Sequence, residues 1–183
     1  MRTLLLALAF TFCALEAFAQ ANIYEVEKGA VTFNSEAPKE LISATSAELR
    51  GLLDAGKRSF VFKIPIASFM GFNSPLQQEH FRENYMETYL FPEAVYKGKI
   101  VEEVDLRKDG TYIVRTKGVL VVHGIASERM IKVRITVAKD KIGISSDFTV
   151  LLGDHSIKIP RVVFEKLASE IKVSMTATLR PKN

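Results

Sequence analysis

"ERMIKVRITVAKD", residues 128–140, places Ile131, Val133, Ile135 and Val137 at every second position, with Lys132, Arg134 and Thr136 between them. Successive side chains of a β-strand point to opposite faces, so this period of two marks a strand with one buried face. The same alternation recurs along most of the chain. "KRSFVFKIPIASF" sets Phe60, Phe62, Ile64 and Ile66 against Val61, Lys63 and Pro65. "AVYKGKIVEEV" sets Tyr96, Gly98 and Ile100 against Val95, Lys97 and Lys99. "TYIVRTKGVLVVHG" aligns Tyr112, Val114, Thr116, Leu120 and Val122, and "KIGISSDFTVLL" aligns Ile142, Ile144, Phe148 and Val150. "EIKVSMTATL" aligns Ile171, Val173, Met175, Ala177 and Leu179. "YEVEKGAVTFNS" predicts two short strands meeting at Lys28-Gly29, and Lys108-Asp109-Gly110 reads as a hairpin turn. Proline has no N–H to give a ladder, so the strand holding Pro65 lies at an edge or bends there. Spacing this short leaves no room for the helical crossovers of a parallel sheet. The pattern predicts an all-β domain, an antiparallel barrel or sandwich.

Three stretches break the period. "SAELRGLLD" begins with a capping residue, Ser46, and groups Leu49, Leu52 and Leu53 at helical spacing. "SPLQQEHFRENYM" has Ser74 before Pro75, the favoured order at a helix start, with Leu76, His80, Phe81, Asn84 and Tyr85 three and four apart. "IPRVVFEKLAS" puts Pro160 at a first turn and turns Val163, Phe164 and Leu167 inward. Short helices in a sheet protein of this kind act as plugs or lids, and residues 75–87 are read as closing one mouth.

The first twenty residues, "MRTLLLALAFTFCALEAFAQ", carry one arginine, an apolar run from Leu4 to Leu15 and the small-residue pattern Ala17-Phe18-Ala19. This is the signature of a secretory signal peptide spanning residues 1–19, followed by a single domain over 20–183. The only cysteine, Cys13, falls inside it. The mature chain is then left without a disulfide or a thiolate nucleophile and depends on its core. No second apolar run is long enough to cross a bilayer. The net charge of +4 comes without a dense Lys/Arg cluster, which argues against nucleic acid as a partner. His80, His123 and His155 are the only histidines, and no two are spaced as a metal pair on one element. There is no Gly-x-Ser-x-Gly elbow and no phosphate-binding glycine loop. Glu102 and Glu103 are adjacent on a strand and face opposite ways. The expectation is a protein that is not an enzyme and uses no metal or cofactor.

Two segments carry a resemblance. The first runs through His80-Phe81, Asn84-Tyr85-Met86 and Phe91-Pro92 into Val95-Tyr96-Lys97-Gly98; the second is Leu120-Val121-Val122-His123-Gly124-Ile125. In their order and spacing they resemble the YceI-like family of exported, lipocalin-like proteins described as polyisoprenoid-binding. The resemblance extends over nearly all of residues 23–180. It implies an eight-stranded antiparallel lipocalin-like barrel with short capping helices. It also implies a hydrophobic bore for a long-chain isoprenoid, either a polyprenyl lipid or an isoprenoid quinone, and a periplasmic or secreted location. Lys28-Gly29-Ala30 stands where the family often has a histidine-serine pair, and the family's acidic residue after the aromatic pair is Glu87 or is missing.

The candidate bore and lid residues are Phe60, Phe62, Ile64, His80, Phe81, Tyr85, Phe91, Tyr96, Tyr112, Val114, Leu120, Val122, Phe148 and Phe164. Periodicity alone describes a filled core as well as it describes a bore. The alternative is therefore an exported structural or stress-related barrel, packed solid, that meets a protein or glycan through its surface. Lys97, Lys99, Lys117, Lys158 and Arg161 are candidates for an anionic head group, or else guard strand edges against association. A homodimer is compatible with the sequence.

Overall fold

Alternation is translated into nine antiparallel strands: β1 (Ile23–Glu36), β2 (Leu41–Ser46), β3 (Arg50–Asp54), β4 (Ser59–Pro65), β5 (Glu93–Ile100), β6 (Gly110–Val122), β7 (Ile125–Ala138), β8 (Lys141–Leu151) and β9 (Glu170–Pro181). The structure is a computed structural model that describes residues 22–182. The segment read as a signal peptide, with Cys13, lies outside the described residues. From β3 to β9 each strand pairs with the next, and β1 pairs with β9, so the sheet closes on itself. β2 and β3 share one position in the ring. β2 pairs with β1 from Val31 to Glu36, and β3 pairs with it from Ile23 to Glu25. Nine strands thus make the expected eight-position antiparallel barrel.

Apart from β2 and β3, which run on in one direction through residues 47–49, every strand reverses direction at its end, so the other connections fall into two groups. Residues 37–40, 66–92, 123–124 and 152–169 cross one end; residues 55–58, 101–109 and 139–140 cross the other. The first group holds the only α-helix among the described residues, α1 (Pro75–His80), which continues into a wider π turn, Phe81–Tyr85. Ser74 caps it as its sequence predicts, its hydroxyl accepting from the Gln77 N–H at 3.1 Å. This is the lidded end.

Several local expectations need correction. Residues 24–35 form one long strand and not two, with a β-bulge between Val26 and Lys28 that absorbs the break in rhythm. "SAELRGLLD" is the end of β2 and all of β3, not a helix. Leu49 and Leu53 also satisfy a period of two, Gly51 weakens the helical alternative, and the ladders to β1 and β4 decide. On the lid helix, Leu76, His80 and Asn84 face solvent; Gln77, Phe81, Tyr85 and Met86 face the barrel. "IPRVVFEKLAS" contributes a single 3-10 turn, Arg161–Val163, and Phe164 points outward at 65% exposure. Pro65 marks a bend: its strand ends there in a 3-10 turn, within the closed wall.

The far half of the barrel is packed solid. Leu53, Phe60, Leu106, Val114, Ile142 and Leu179 meet across it, each less than 9% exposed. At its upper boundary Gly98 and Gly118 face each other on β5 and β6. A Cβ on Gly118 would come within 2.3 Å of the Lys97 carbonyl oxygen, and one on Gly98 within 2.3 Å of the Lys117 carbonyl. Backbone cannot yield as a side-chain tip can. We expect Gly118→Val to destabilise the fold by about 2 kcal/mol or more, within or above the overpacking range, read as a lowered urea midpoint. An unchanged midpoint would show that the two strands can separate without cost.

Candidate functional site

Towards the lidded end the inward side chains stop meeting. They line a cavity of about 220 Å³, partly open to solvent, whose surface is almost wholly apolar. β4 contributes Phe62 and Ile64, β5 Tyr96, β6 Leu120 and Val122, β8 Phe148 and Val150, and β9 Ile171, Val173 and Met175. β1 adds Val31 and Phe33. Phe81, Tyr85, Met86 and Gln77 line it from the lid.

The lid is held by aromatic stacking. Phe81 lies 5.3 Å from Phe33 and 5.0 Å from Phe72, centroid to centroid, and Phe69 packs on Phe33 at 5.3 Å. Contacts of this kind are worth about 0.5–1.5 kcal/mol each beyond the area they bury. The cluster joins the lid segment to β1 without polar groups, so it covers the cavity and extends its apolar lining at once. Arg82 adds a clasp from the outer side, donating to the Ala67 carbonyl at 2.5 Å.

A second fastening ties three connections together. His123 and Gly124 have φ of 50° and 70° and form the two-residue turn between β6 and β7, a geometry that needs left-handed residues at both centres. That turn projects His123 between two acceptors. Its Nε2 lies 2.7 Å from Glu87 Oε2, at the end of the lid, and its Nδ1 lies 3.1 Å from the His155 carbonyl. Phe91 stands edge-on to the ring at 4.6 Å and rests on Gly124, where a Cβ would sit 2.5 Å from the Phe91 ring. Glu87 and Ser156 also hold positive φ, at 43° and 57°. Left-handed non-glycine residues cost energy and persist where surrounding contacts hold them.

Beside this fastening the wall is incomplete. β7 and β8 pair only between Arg134–Ala138 and Lys141–Ser145. Beyond that point side chains replace the ladder. Ser146 donates to the Lys132 carbonyl at 2.8 Å, Arg129 donates to the Thr149 carbonyl, and the His155 Nδ1 donates to the Ile125 carbonyl at 3.1 Å. Buried carbonyls need such partners. His155 itself is fully buried, and its Nε2 has no protein partner among the described residues.

Few polar groups reach the cavity. The Tyr96 hydroxyl is engaged with Thr116 Oγ1 at 2.9 Å. Burial pushes its pKa up, partly offset by that hydrogen bond and by the Arg129 charge, and it remains a neutral phenol. Burial also raises the Tyr85 pKa, and no hydrogen bond to its hydroxyl is made among the described residues.

A family profile described as the YceI-like domain matches residues 21–179. The chain belongs to the YceI-like family. No curated protein matches it. Solved structures share the YceI-like fold at low sequence identity. A polyisoprenoid binding domain from Saccharophagus degradans, implicated in plant cell wall breakdown, superposes with a TM-score of 0.75 at 12% identity, over 87% of this chain and 98% of that one. BcnA from Burkholderia cenocepacia gives 0.68 at 12% identity, over 82% and 95%. The YceI protein of Campylobacter jejuni gives 0.55 at 17% identity, over 72% and 78%.

Of the residues singled out from the sequence, Phe62, Ile64, Phe81, Tyr85, Tyr96, Leu120, Val122 and Phe148 line the cavity of this YceI-like barrel. Phe60, Tyr112 and Val114 lie below it, in the filled half: Phe60 stacks on Phe62 and Tyr96, and the Tyr112 hydroxyl donates to the Lys108 carbonyl at 2.9 Å. Phe91 belongs to the His123 fastening, and His80 and Phe164 face solvent. Lys97, Lys99 and Lys117 stand on the outer wall away from the lid; Lys158 and Arg161 are at the lidded end. The reading missed Phe33, Phe69 and Phe72. Phe33 follows Val31 at strand spacing and was legible; Phe69 and Phe72 sit in an irregular connection with no period to reveal them.

Removing the His123 ring breaks both of its contacts. We expect His123→Ala to raise amide hydrogen exchange in residues 82–91 and 152–157, at a cost of about 1–2 kcal/mol. Exchange in the filled half should stay as slow as before. Uniform acceleration through the barrel would mean that the fastening is part of the global core.

Proposed function

We propose that this YceI-like protein is an exported binding protein. It shelters a long-chain isoprenoid, a polyprenyl lipid or an isoprenoid quinone, in the lidded half of its barrel. One observation carries the reading: an almost wholly apolar cavity of about 220 Å³ under an aromatic lid, above a half that is packed solid. Apolar cavities stay dry, and one of about 150 Å³ takes up benzene. An isoprenoid chain matches the lining because it has no polar groups along its length, and its transfer gains about 25 cal/mol per Å² removed from water.

Tyr85 lines the cavity from the lid and its hydroxyl has no hydrogen-bond partner among the described residues, which would leave it for a quinone carbonyl or a head-group oxygen. Support from outside the chain comes from the Saccharophagus degradans domain, which has the same fold and is described as polyisoprenoid binding. The apolar leader read at residues 1–19 supports export, with the periplasm as the compartment. The reading assigns the protein a carrier or storage role and no catalytic step.

Two measurements test it. An organic extract of protein purified without detergent is analysed by mass spectrometry, and a stoichiometric polyprenyl or quinone mass is the expected result. Val173→Phe should fill part of the cavity, leave the barrel folded and weaken isoprenoid binding about tenfold or more, a loss of at least 1.4 kcal/mol. An empty extract from a protein that also takes up no added isoprenoid would overturn the container reading.

A further inference from the structure

Among the described residues fourteen large apolar side chains are exposed, and nine of them lie at the lidded end. The most exposed is Val162, at 89%, with Phe164 nearby at 65%. Both stand on the one-turn projection between β8 and β9, where Pro160 leads into the turn Arg161–Val163. Ile159, Val163 and Leu167 turn back towards the barrel, the last two one helical turn apart, with the Leu167 N–H donating to the Val163 carbonyl at 3.0 Å. The projection is anchored at its base. The Lys39 N–H donates to the Glu165 carbonyl at 2.9 Å, and the Ala168 N–H donates to Ser35 Oγ at 2.9 Å. Val162 and Phe164 are thus held out into solvent by a fixed base.

Their charged neighbours on the projection that lack a partner among the described residues are cations. Lys158, Arg161 and Lys166 flank the two apolar tips, and none has a carboxylate within 4.0 Å among the described residues. The acid on the same projection, Glu165, is paired with Lys39, and Glu36 beneath it is paired with Lys172. Glu170 is the one carboxylate bordering the shallow groove under Phe164 that has no cation beside it. Glu79 and Glu83 are exposed on the lid helix.

We propose that residues 158–166 dock this end of the barrel on an anionic lipid bilayer, with Val162 and Phe164 entering the interface and Lys158, Arg161 and Lys166 meeting the head groups. Two apolar tips ringed by free cations match a bilayer, which takes up protruding side chains and offers anionic phosphates at the same depth. A stable protein partner would need about 1,000 Å² of complementary surface, and single protruding tips do not supply it. The carboxylates on the lid helix make this an oblique contact led by the projection. Docking brings the cavity end to the membrane, where an isoprenoid would enter or leave. It is read out without any isoprenoid, so it fails separately from the container reading.

The test is co-sedimentation of the protein with phosphatidylcholine vesicles, with and without phosphatidylglycerol. We expect binding to the phosphatidylglycerol vesicles that weakens as salt is raised. The double variant Val162→Ser/Phe164→Ser should bind them about tenfold less or weaker still, and Lys158→Gln, Arg161→Gln and Lys166→Gln should each cost about fivefold. Both apolar side chains are exposed, so the double variant should keep its far-ultraviolet circular dichroism and its uptake of a soluble isoprenoid alcohol such as farnesol. Absence of binding to phosphatidylglycerol vesicles would overturn the proposal. So would equal binding by the double variant, or a wild-type dimer that the double variant alone dissolves while neither binds vesicles.

Discussion

The ladder between β1 and β9 is the contact on which the rest of the architecture depends. It joins the first strand to the last along Tyr24 to Asn34 and turns a curled sheet into a ring. Closure removes most of the free edge that would otherwise seek a partner chain, leaving the lidded-end stretches of β7 and β8 and one side of β2 without a ladder. It also imposes curvature, and the chain meets that demand at identifiable places. The bulge at Val26/Lys28 bends β1, the break at residues 47–49 lets β2 and β3 share one position, and paired glycines at 98 and 118 let β5 and β6 approach closely.

Once the ring is closed, its interior is shared between a core and a container. An eight-position barrel is just wide enough to be filled by its own side chains or to keep room for one small ligand. Here the two outcomes divide along the axis. Large inward residues interlock in the far half, which two short turns and the connection 101–109, with Leu106 turned inward, close off. At the other end, a connection of 27 residues, 66–92, brings in a lid whose phenylalanines cover the void without filling it. The lid segment is tied to β2 by paired backbone hydrogen bonds between Thr45 and Met70 at 2.8 and 3.0 Å, to β1 by aromatic contact with Phe33 and to the β6–β7 turn by the Glu87–His123 bridge, while Gln77 donates to Glu40 at 2.8 Å.

Family membership and the chain's own geometry supply different things. The YceI-like profile and the shared fold give the barrel. Relatives at 12–17% identity do not say which side chains touch a ligand. This chain's own geometry shows which side chains line the cavity: the inward residues of β4, β5, β6, β8 and β9 near the lid, with Phe81, Tyr85 and Met86 from the lid itself.

The sequence by itself determined the inward face of nearly every strand. A period of two is a local property, and Phe60 to Ile66, Ile131 to Val137 and Ile171 to Leu179 all point as their spacing requires. It also determined the start of the lid helix, because Ser74-Pro75 is a complete local signal. It misassigned "SAELRGLLD", whose leucines fit both periods, since only the ladders to β1 and β4 could choose between them. It placed Phe164 inward because helical spacing was assumed to continue past a single turn. Above all, it could not divide Phe60 from Phe62, or Val114 from Leu120. Each pair shares a strand and a face, and whether such a residue meets a partner across the barrel or borders a void depends on what stands opposite. That is a property of closure and of the lid, and the tertiary structure alone decided it.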